Sequence, residues 1–367
     1  MHIWLIAENW PPRIGGIERY LTGIASHLPE GSVTVFAPIE IAEQHTDLPY
    51  VVRKKFSWKP LWPAWLPLYF SLKKLARIQK PDVILCGKAL VEGRIARLLK
   101  RSLSIPYVVC TYGMEIASWS ANQRTRAQLV RVLQEADRVL CINKRTQQEL
   151  IQLGVEEKNI SMLYPGIDIA SLSQKNTPEE VLKKYNLAAP YILSVARLVR
   201  RKGIEDLFTA YARLGAERIP LVIVGDGPEK EPLMRVADRL NISPTFLGNV
   251  SDADLHAIYS KATLFALTPK ELPGDYEGFG IVYMEAAYFG LPVVATHTGG
   301  IPEAVQDTVT GILAKEGDVG SIHEALQTLL LHPTIAVQYG QAGKMRATQE
   351  FSWKAIIKQL TSLLSEI

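Results

Sequence analysis

The chain has 367 residues, 47% of them hydrophobic and 21% charged, with a formal net charge of +4. That length exceeds one ordinary core and suits two domains. The composition is that of a globular enzyme, and the mildly positive charge permits an anionic ligand or surface without calling for nucleic acid.

The first residues, MHIWLIAENWPPR, are apolar but too short, and lack the basic start, for a signal peptide; residues 2–7 read as a first strand. Gly15 and Gly16 then open a helix whose apolar face is Ile17, Tyr20, Leu21, Ile24 and Leu28. A glycine pair at a helix N-terminus lets backbone N–H groups approach an anion, and the helix dipole favours it. The spacing is not G-x-G-x-x-G, so the dinucleotide fingerprint is absent, and a plain strand-to-helix turn is the competing reading. After a strand at 33–37 comes VVRKKFSWKPLWPAWLPLYFSLKKLARIQK, residues 51–80. Aromatics among lysines and arginines, without spanning length, are an interfacial composition. Prolines break its first half, which leaves a helix over about 66–79. The alternative is a core-packed loop and helix. No apolar run anywhere approaches the ~20 residues of a membrane span.

Strands follow at 82–86, 107–110, 138–142 and 160–164, with a helix over 121–136. The three cysteines, Cys86, Cys110 and Cys141, fall at the ends of apolar runs and read as small buried hydrophobes. An odd, sparse set argues against disulfides and for a reducing, cytoplasmic compartment. The stretch YPGIDIASLSQKNTPEE (164–180) is a loop-like break. A second series starts at Tyr191, with strands at 191–196, 221–225, 245–248, 263–267 and 292–296 and helices over 203–214 and 320–331. Alternating strands and helices predict parallel sheets covered on both faces, with ligands outside the carboxyl ends of the strands. The expected fold is α/β: two Rossmann-like domains, 1–166 and 167–345, whose sheets face a central cleft. Residues 346–367, with a last helix near 353–365, cross back to the first domain.

Candidate ligand groups cluster in the second series. Arg197 ends a strand, and Lys202-Gly203 precede a helix. Two such cations suit a diphosphate, Arg gripping two oxygens and Lys acting as a point charge. A solvated basic turn is the alternative, since Arg200 and Arg201 are also there. Gly225, Asp226 and Gly227 follow the next strand and could approach a nucleoside, with Pro228 near the first turn of a helix. In PGDYEGFGIVYMEAAYFGLPVVAT (273–296), Glu277 and Glu285 stand eight residues apart, around a glycine loop that delivers a helix at about Ile281. The first N–H groups of that helix are unpaired within it and favour an oxygen-rich ligand. Glu277 can reach a hydroxyl-rich group such as a sugar, and Glu285 can accept two hydrogen bonds from a cis-diol such as a ribose. Apolar neighbours on both sides argue against two solvated surface acids.

Six motifs in order carry a resemblance: Gly15-Gly16, PGID at 165–168, the Arg197/Lys202-Gly203 loop, VGDGP at 224–228, Glu277 to Glu285, and TGGIPEAV at 298–305. Together they resemble the family-4 retaining glycosyltransferases of GT-B fold, and EGFGIVYMEA looks like the lipid-acceptor mannosyl- and glucosyltransferase branch. The resemblance implies transfer of a hexose from a GDP- or UDP-sugar to a hydroxyl of a glycan, lipid or lipid-linked acceptor. It implies a catalytic set of Arg197, Lys202 and Glu277. Donor contacts would come from Gly15, Gly16, Gly225, Leu247, Gly278, Phe279, Gly280, Ile281 and Glu285. The nucleotide-sugar is then a substrate, with no cofactor and no metal required. Where many members carry a histidine, in a His-Gly-x-Glu/Asp pattern, this chain reads TYGME, with Tyr112 and Glu115 on the acceptor or sugar side. A tyrosine cannot replace histidine as acid or base near neutral pH.

The other partner expected is an anionic membrane surface met through 53–77, which would place the protein peripherally on the inner face of the cell membrane. Two alternatives stay open at this point: a sugar-nucleotide epimerase on the same fold, and a catalytically silent nucleotide-sugar-binding relative.

Overall fold

The computed structural model describes residues 1–11, 15–37, 51–53, 65–120, 122–174 and 176–367. The chain divides into two units. One is Met1–Gly166 with Trp353–Ile367, the other Ile167–Ser352.

The first unit holds seven parallel strands: β1 Ile3–Ile6, β2 Val33–Phe36, β3 Val51–Arg53, β4 Val83–Cys86, β5 Tyr107–Thr111, β6 Arg138–Cys141 and β7 Ile160–Met162. Their order across the sheet is β3-β2-β1-β4-β5-β6-β7. In register, Ile3 lies opposite both Val33 and Val83. Strands β1, β2, β4 and β5 are buried along their whole length, as expected when helices cover both faces of a parallel sheet. The three cysteines are buried in β4, β5 and β6. β3 was not among the expected strands; its three residues run straight into the basic stretch. The expected helix near 66–79 is Leu66–Ile78. Residues 54–64, and with them Trp58, Trp62 and three of the basic residues in 53–77, lie outside the described residues.

The C-terminal helix Trp353–Ser365 belongs to this unit and packs on helix Gly16–His27. Two glycines make the seat. A Cβ on Gly23 would fall 1.8 Å from the Trp353 ring, and one on Gly166 2.5 Å from it. His27 stacks on the same indole at 5.5 Å between ring centroids. The expected C-terminal segment at 346–367 is therefore too long at its start: residues 346–349 belong to helix Pro333–Gln349 of the second unit.

The second unit holds six parallel strands: β8 Ile192–Val195, β9 Leu221–Val224, β10 Thr245–Gly248, β11 Leu264–Ala266, β12 Val293–Thr296 and β13 Gly311–Ala314. The order is β10-β9-β8-β11-β12-β13. β13 was also missed by the sequence reading. In both sheets the order reverses once, between β1 and β4 and between β8 and β11. That doubly wound pattern puts the ligand crevice outside the carboxyl ends at the reversal. The break at 164–180 is more ordered than expected, with helices Ile169–Ser173 and Pro178–Lys184. Asp254 ties it down: its carboxylate takes Lys184 Nζ at 2.7 Å, Asn176 Nδ2 at 2.6 Å and the Tyr185 hydroxyl at 2.9 Å. Those donors hold its pKa down to about 2.

Candidate active site

The chain leaves β8 into a loop pinned against the residues after β11. Gly203 has φ +64°, and a Cβ there would fall 1.8 Å from the Thr268 carbonyl oxygen. Only glycine is at ease in that conformation and that contact. The Thr268 hydroxyl donates to the Gly203 carbonyl at 2.9 Å, and Lys270 N–H to the Arg201 carbonyl at 2.8 Å. The two loops at the reversal point are thus one assembly.

That assembly aims two cations at one carboxylate oxygen. Glu277 Oε2 accepts from Lys202 Nζ at 2.6 Å and from Arg201 Nη1 at 2.5 Å. Arg201 Nε also lies 2.9 Å from Asp275 Oδ1, an ion pair without hydrogen-bond alignment. The Glu277 side chain is 10% exposed. Burial pushes its pKa up, but the charges and hydrogen bonds of Lys202 and Arg201 outweigh that and hold it below the ordinary value. Arg197 is exposed and makes no ion pair among the described residues. Of the expected pair, then, Lys202 meets Glu277 and Arg197 does not. Arg201, which the sequence offered only as part of a basic turn, does.

Glu277 is also fixed through its backbone. Its carbonyl accepts from Gly300 N–H at 2.9 Å, and a Cβ on Gly299 would stand 2.2 Å from that carbonyl oxygen. This gives the TGG of 298–300 a role. Gly280 caps helix Ile281–Tyr288 with φ +83°, and a Cβ there would strike the Tyr283 ring at 2.5 Å. Phe279 is buried with its ring 5.5 Å from that of Phe351. Glu285 lies inside the helix, 9% exposed, and accepts from the Tyr259 hydroxyl at 3.3 Å. Neither glutamate is a surface acid.

Gly225 has φ +120°; a Cβ would fall 2.0 Å from the Ala196 carbonyl oxygen, and its N–H donates to the Gly248 carbonyl at 2.8 Å. Leu247, in β10, is half-buried beside that turn. The following helix begins at Lys230, so Pro228 lies before it and not in its first turn. The proline instead sits in the tight turn where Gly227 packs on the Leu198 backbone.

In the first unit Gly15 and Gly16 do open a helix, with Gly15 as its cap. A Cβ on Gly15 would strike Glu18 Oε2 at 2.5 Å, while Gly16 faces open space. Asn9 Nδ2 donates to the other oxygen of Glu18 at 2.6 Å. Tyr112 is buried, its hydroxyl without a partner among the described residues. Its N–H donates to Glu115 at 2.6 Å. Burial raises the Glu115 carboxyl to about 7. Glu92, 1% exposed, accepts from Glu8 N–H at 3.0 Å and is likewise raised by burial to about 7. Nothing in the sequence marked Glu92, a lone acid at the start of an ordinary amphipathic helix. Among the described residues no group of three His, Cys, Asp or Glu is placed to hold a metal ion, and no helix is long and apolar enough to cross a membrane.

Two doubly wound units with cations, a carboxylate and a helix N-terminus at the reversal point of the second define a GT-B glycosyltransferase. Residues 14–171 match the family described as "Glycosyltransferase Family 4", and residues 179–346 that described as "Glycosyl transferases group 1". The chain is 30% identical over 376 residues, covering 98% of itself and 97% of the relative, to a GDP-mannose-dependent monoacylated alpha-(1-6)-phosphatidylinositol monomannoside mannosyltransferase of Corynebacterium glutamicum. It is 31% identical, with the same coverage, to a GDP-mannose-dependent alpha-(1-6)-phosphatidylinositol monomannoside mannosyltransferase of Mycolicibacterium smegmatis. Among solved structures, Anabaena Alr3699/HepE in complex with UDP superposes with TM-score 0.84 at 22% identity, covering 100% of both chains, and shares the fold. The chain belongs to glycosyltransferase family 4, and it is a retaining hexosyltransferase that uses a nucleotide-sugar donor.

Proposed function

We propose that the chain moves mannose from GDP-mannose to a hydroxyl of a glycosylated phospholipid. One observation carries the site: Lys202, Glu277 and the N-terminus of helix Ile281–Tyr288 converge beyond the carboxyl ends of β8 and β11. The identity of donor and acceptor is supported by the two relatives similar over nearly the whole chain. In this reading the bond between sugar C1 and the diphosphate oxygen breaks, and its electron pair goes to the diphosphate. The acceptor oxygen bonds to C1, and its proton passes to the oxygen of the departing diphosphate. Lys202, with Arg197 swung in from solvent, stabilises the charge on the departing diphosphate, the kind of fixed electrostatics that usually dominates such catalysis. Glu277 meets sugar hydroxyls, together with the N–H groups of Phe279, Gly280 and Ile281. Glu285 holds the ribose, and the turn at Gly225 with Leu247 borders the base. On the acceptor side, Glu115 and Tyr112 lie at the carboxyl end of β5.

The same reading places the protein against an anionic membrane face. Helix Leu66–Ile78 exposes Phe70 and Ile78 beside Lys74 and Arg77, an amphipathic basic surface suited to anionic lipid. The test supplies radiolabelled GDP-mannose or UDP-glucose with phosphatidylinositol monomannoside in vesicles. Label from GDP-mannose should pass into the solvent-extractable lipid. Transfer from UDP-glucose alone would overturn the donor, and transfer only to a water-soluble glycan the acceptor.

A further inference from the structure

Two cations share one oxygen of Glu277, and they are not equivalent. Among the described residues the Lys202 ammonium pairs with Glu277 alone. Arg201 reaches Glu277 and, through Nε, Asp275 two residues earlier on the same loop. Its backbone is held as well, the carbonyl accepting from Lys270 N–H at 2.8 Å. The Arg201 side chain is therefore braced on two carboxylates and that of Lys202 on one. Both cations donate to Oε2, and among the described residues neither donates a hydrogen bond to Oε1.

A diphosphate arriving at Lys202 competes with Glu277 for that ammonium. A mostly buried carboxylate left with no cation would be costly. The arrangement already contains the remedy. We propose that Arg201, anchored on Asp275, is a positioning residue that keeps the Glu277 carboxylate in place and ionised when Lys202 turns to the donor diphosphate, leaving Oε1 to the sugar. The assignment deepens the function proposed above and rests on its placement of the diphosphate at Lys202. Arg201 acts through Glu277 and does not touch the phosphates. Arg suits the task because its planar fork binds two carboxylates at once, which a lysine cannot do.

The measurements are steady-state transfer kinetics and calorimetric binding of GDP and UDP, which lack the sugar, for Arg201→Gln, Arg201→Lys, Asp275→Asn and Lys202→Gln. Arg201→Gln should lower kcat about tenfold or more while changing nucleoside diphosphate affinity less than about twofold, since the lost interaction matters only where the sugar reacts. Its acidic limb in the pH profile should move up, because Glu277 loses one of the charges that hold its pKa down. Arg201→Lys should restore the limb in part, and Asp275→Asn should give an intermediate loss of kcat. A role limited to holding the loop would lower thermal stability and leave the pH limb where it was, which overturns the proposal. So would Arg201→Gln weakening GDP or UDP as much as Lys202→Gln does, for Arg201 would then be a phosphate ligand. Unchanged nucleoside diphosphate binding in Lys202→Gln is a separate failure: it removes the diphosphate from Lys202 and takes the underlying reading with it.

Discussion

Tyr112 lies edge-on to Tyr20, ring centroids 5.8 Å apart at 89°, and its hydroxyl is buried with no partner among the described residues. The Tyr20 hydroxyl, by contrast, donates to the Leu163 carbonyl at 3.2 Å. A buried hydroxyl without a partner costs about 1–3 kcal/mol of desolvation. Tyr112→Phe keeps the ring contact and removes that cost, so it should raise the melting temperature by about 2–4 °C per kcal/mol relieved in a unit of this size. Scanning calorimetry with an activity assay on the same sample checks it. A stability gain with normal transfer makes Tyr112 a packing residue; a large loss of kcat means that the hydroxyl meets a sugar after all.

Lys202→Ala and Arg197→Ala should each reduce kcat/KM by roughly 2–4 kcal/mol of transition-state stabilisation, the usual scale for losing one preorganised charged or hydrogen-bonding contact. Their stabilities should differ. Arg197 is exposed, so its removal leaves the melting temperature alone. Removing Lys202 leaves Glu277 to Arg201 alone and should lower it. Normal turnover in both variants would remove this loop from the diphosphate.

How far these features were legible in the sequence depends on what kind of signal each one leaves. Fully buried strands such as β1 and β8 stand out because burial on both faces makes a continuous apolar run. β13 did not, because its four residues start with a glycine and two of them are only half-buried. β3 is shorter still. Glu277 and Glu285 were legible from their apolar surroundings and the glycine loop between them. Arg201 was not: within Arg200-Arg201-Lys202 nothing in one dimension says which cation faces inward, and only the collision-tight Gly203 turn decides it. The glycines at 23 and 166 look like ordinary turn or helix residues until Trp353, far away in the chain, fills the space above both.

Glu285→Ala should raise the donor KM far more than it lowers kcat, because a ribose contact stabilises ground and transition states alike. Tyr259→Phe removes a hydroxyl that donates to the Glu285 carboxylate and should shift KM in the same direction by less. Saturation curves with GDP-mannose read both. A variant with unchanged KM and a collapsed kcat would place Glu285 at the reacting sugar instead.

If residues 53–77 dock on a membrane, binding has a charge component of about 1 kcal/mol per Lys or Arg near an anionic surface and an apolar one from Phe70 and its neighbours. Sedimentation should show preference for anionic over neutral liposomes. The preference should fade in high salt, as the Debye length shrinks below about 8 Å. Phe70→Ser, at an exposed position, should weaken binding without lowering the melting temperature. Indifference to anionic vesicles at low salt would leave a membrane-independent acceptor as the better reading.

Glu92 makes the stability of the first unit depend on pH, and the direction follows from burial. Desolvation raises its carboxyl to about 7 against a partial offset from the Glu8 N–H. A carboxyl whose folded-state pKa lies above its unfolded value takes up a proton on folding across the interval between them. Stability is therefore full below the ordinary carboxylate range, declines as pH rises towards 7, and levels off above it. Glu115, raised to about the same value, adds a decline of the same sign. Glu92→Gln keeps an acceptor for the Glu8 N–H and can never ionise. It should match the parent near pH 4, exceed it in urea resistance at pH 8, and flatten the slope between. Equal slopes for parent and variant would mean that Glu92 is ionised in the folded protein throughout, held by a cation such as Lys88 more strongly than its burial implies.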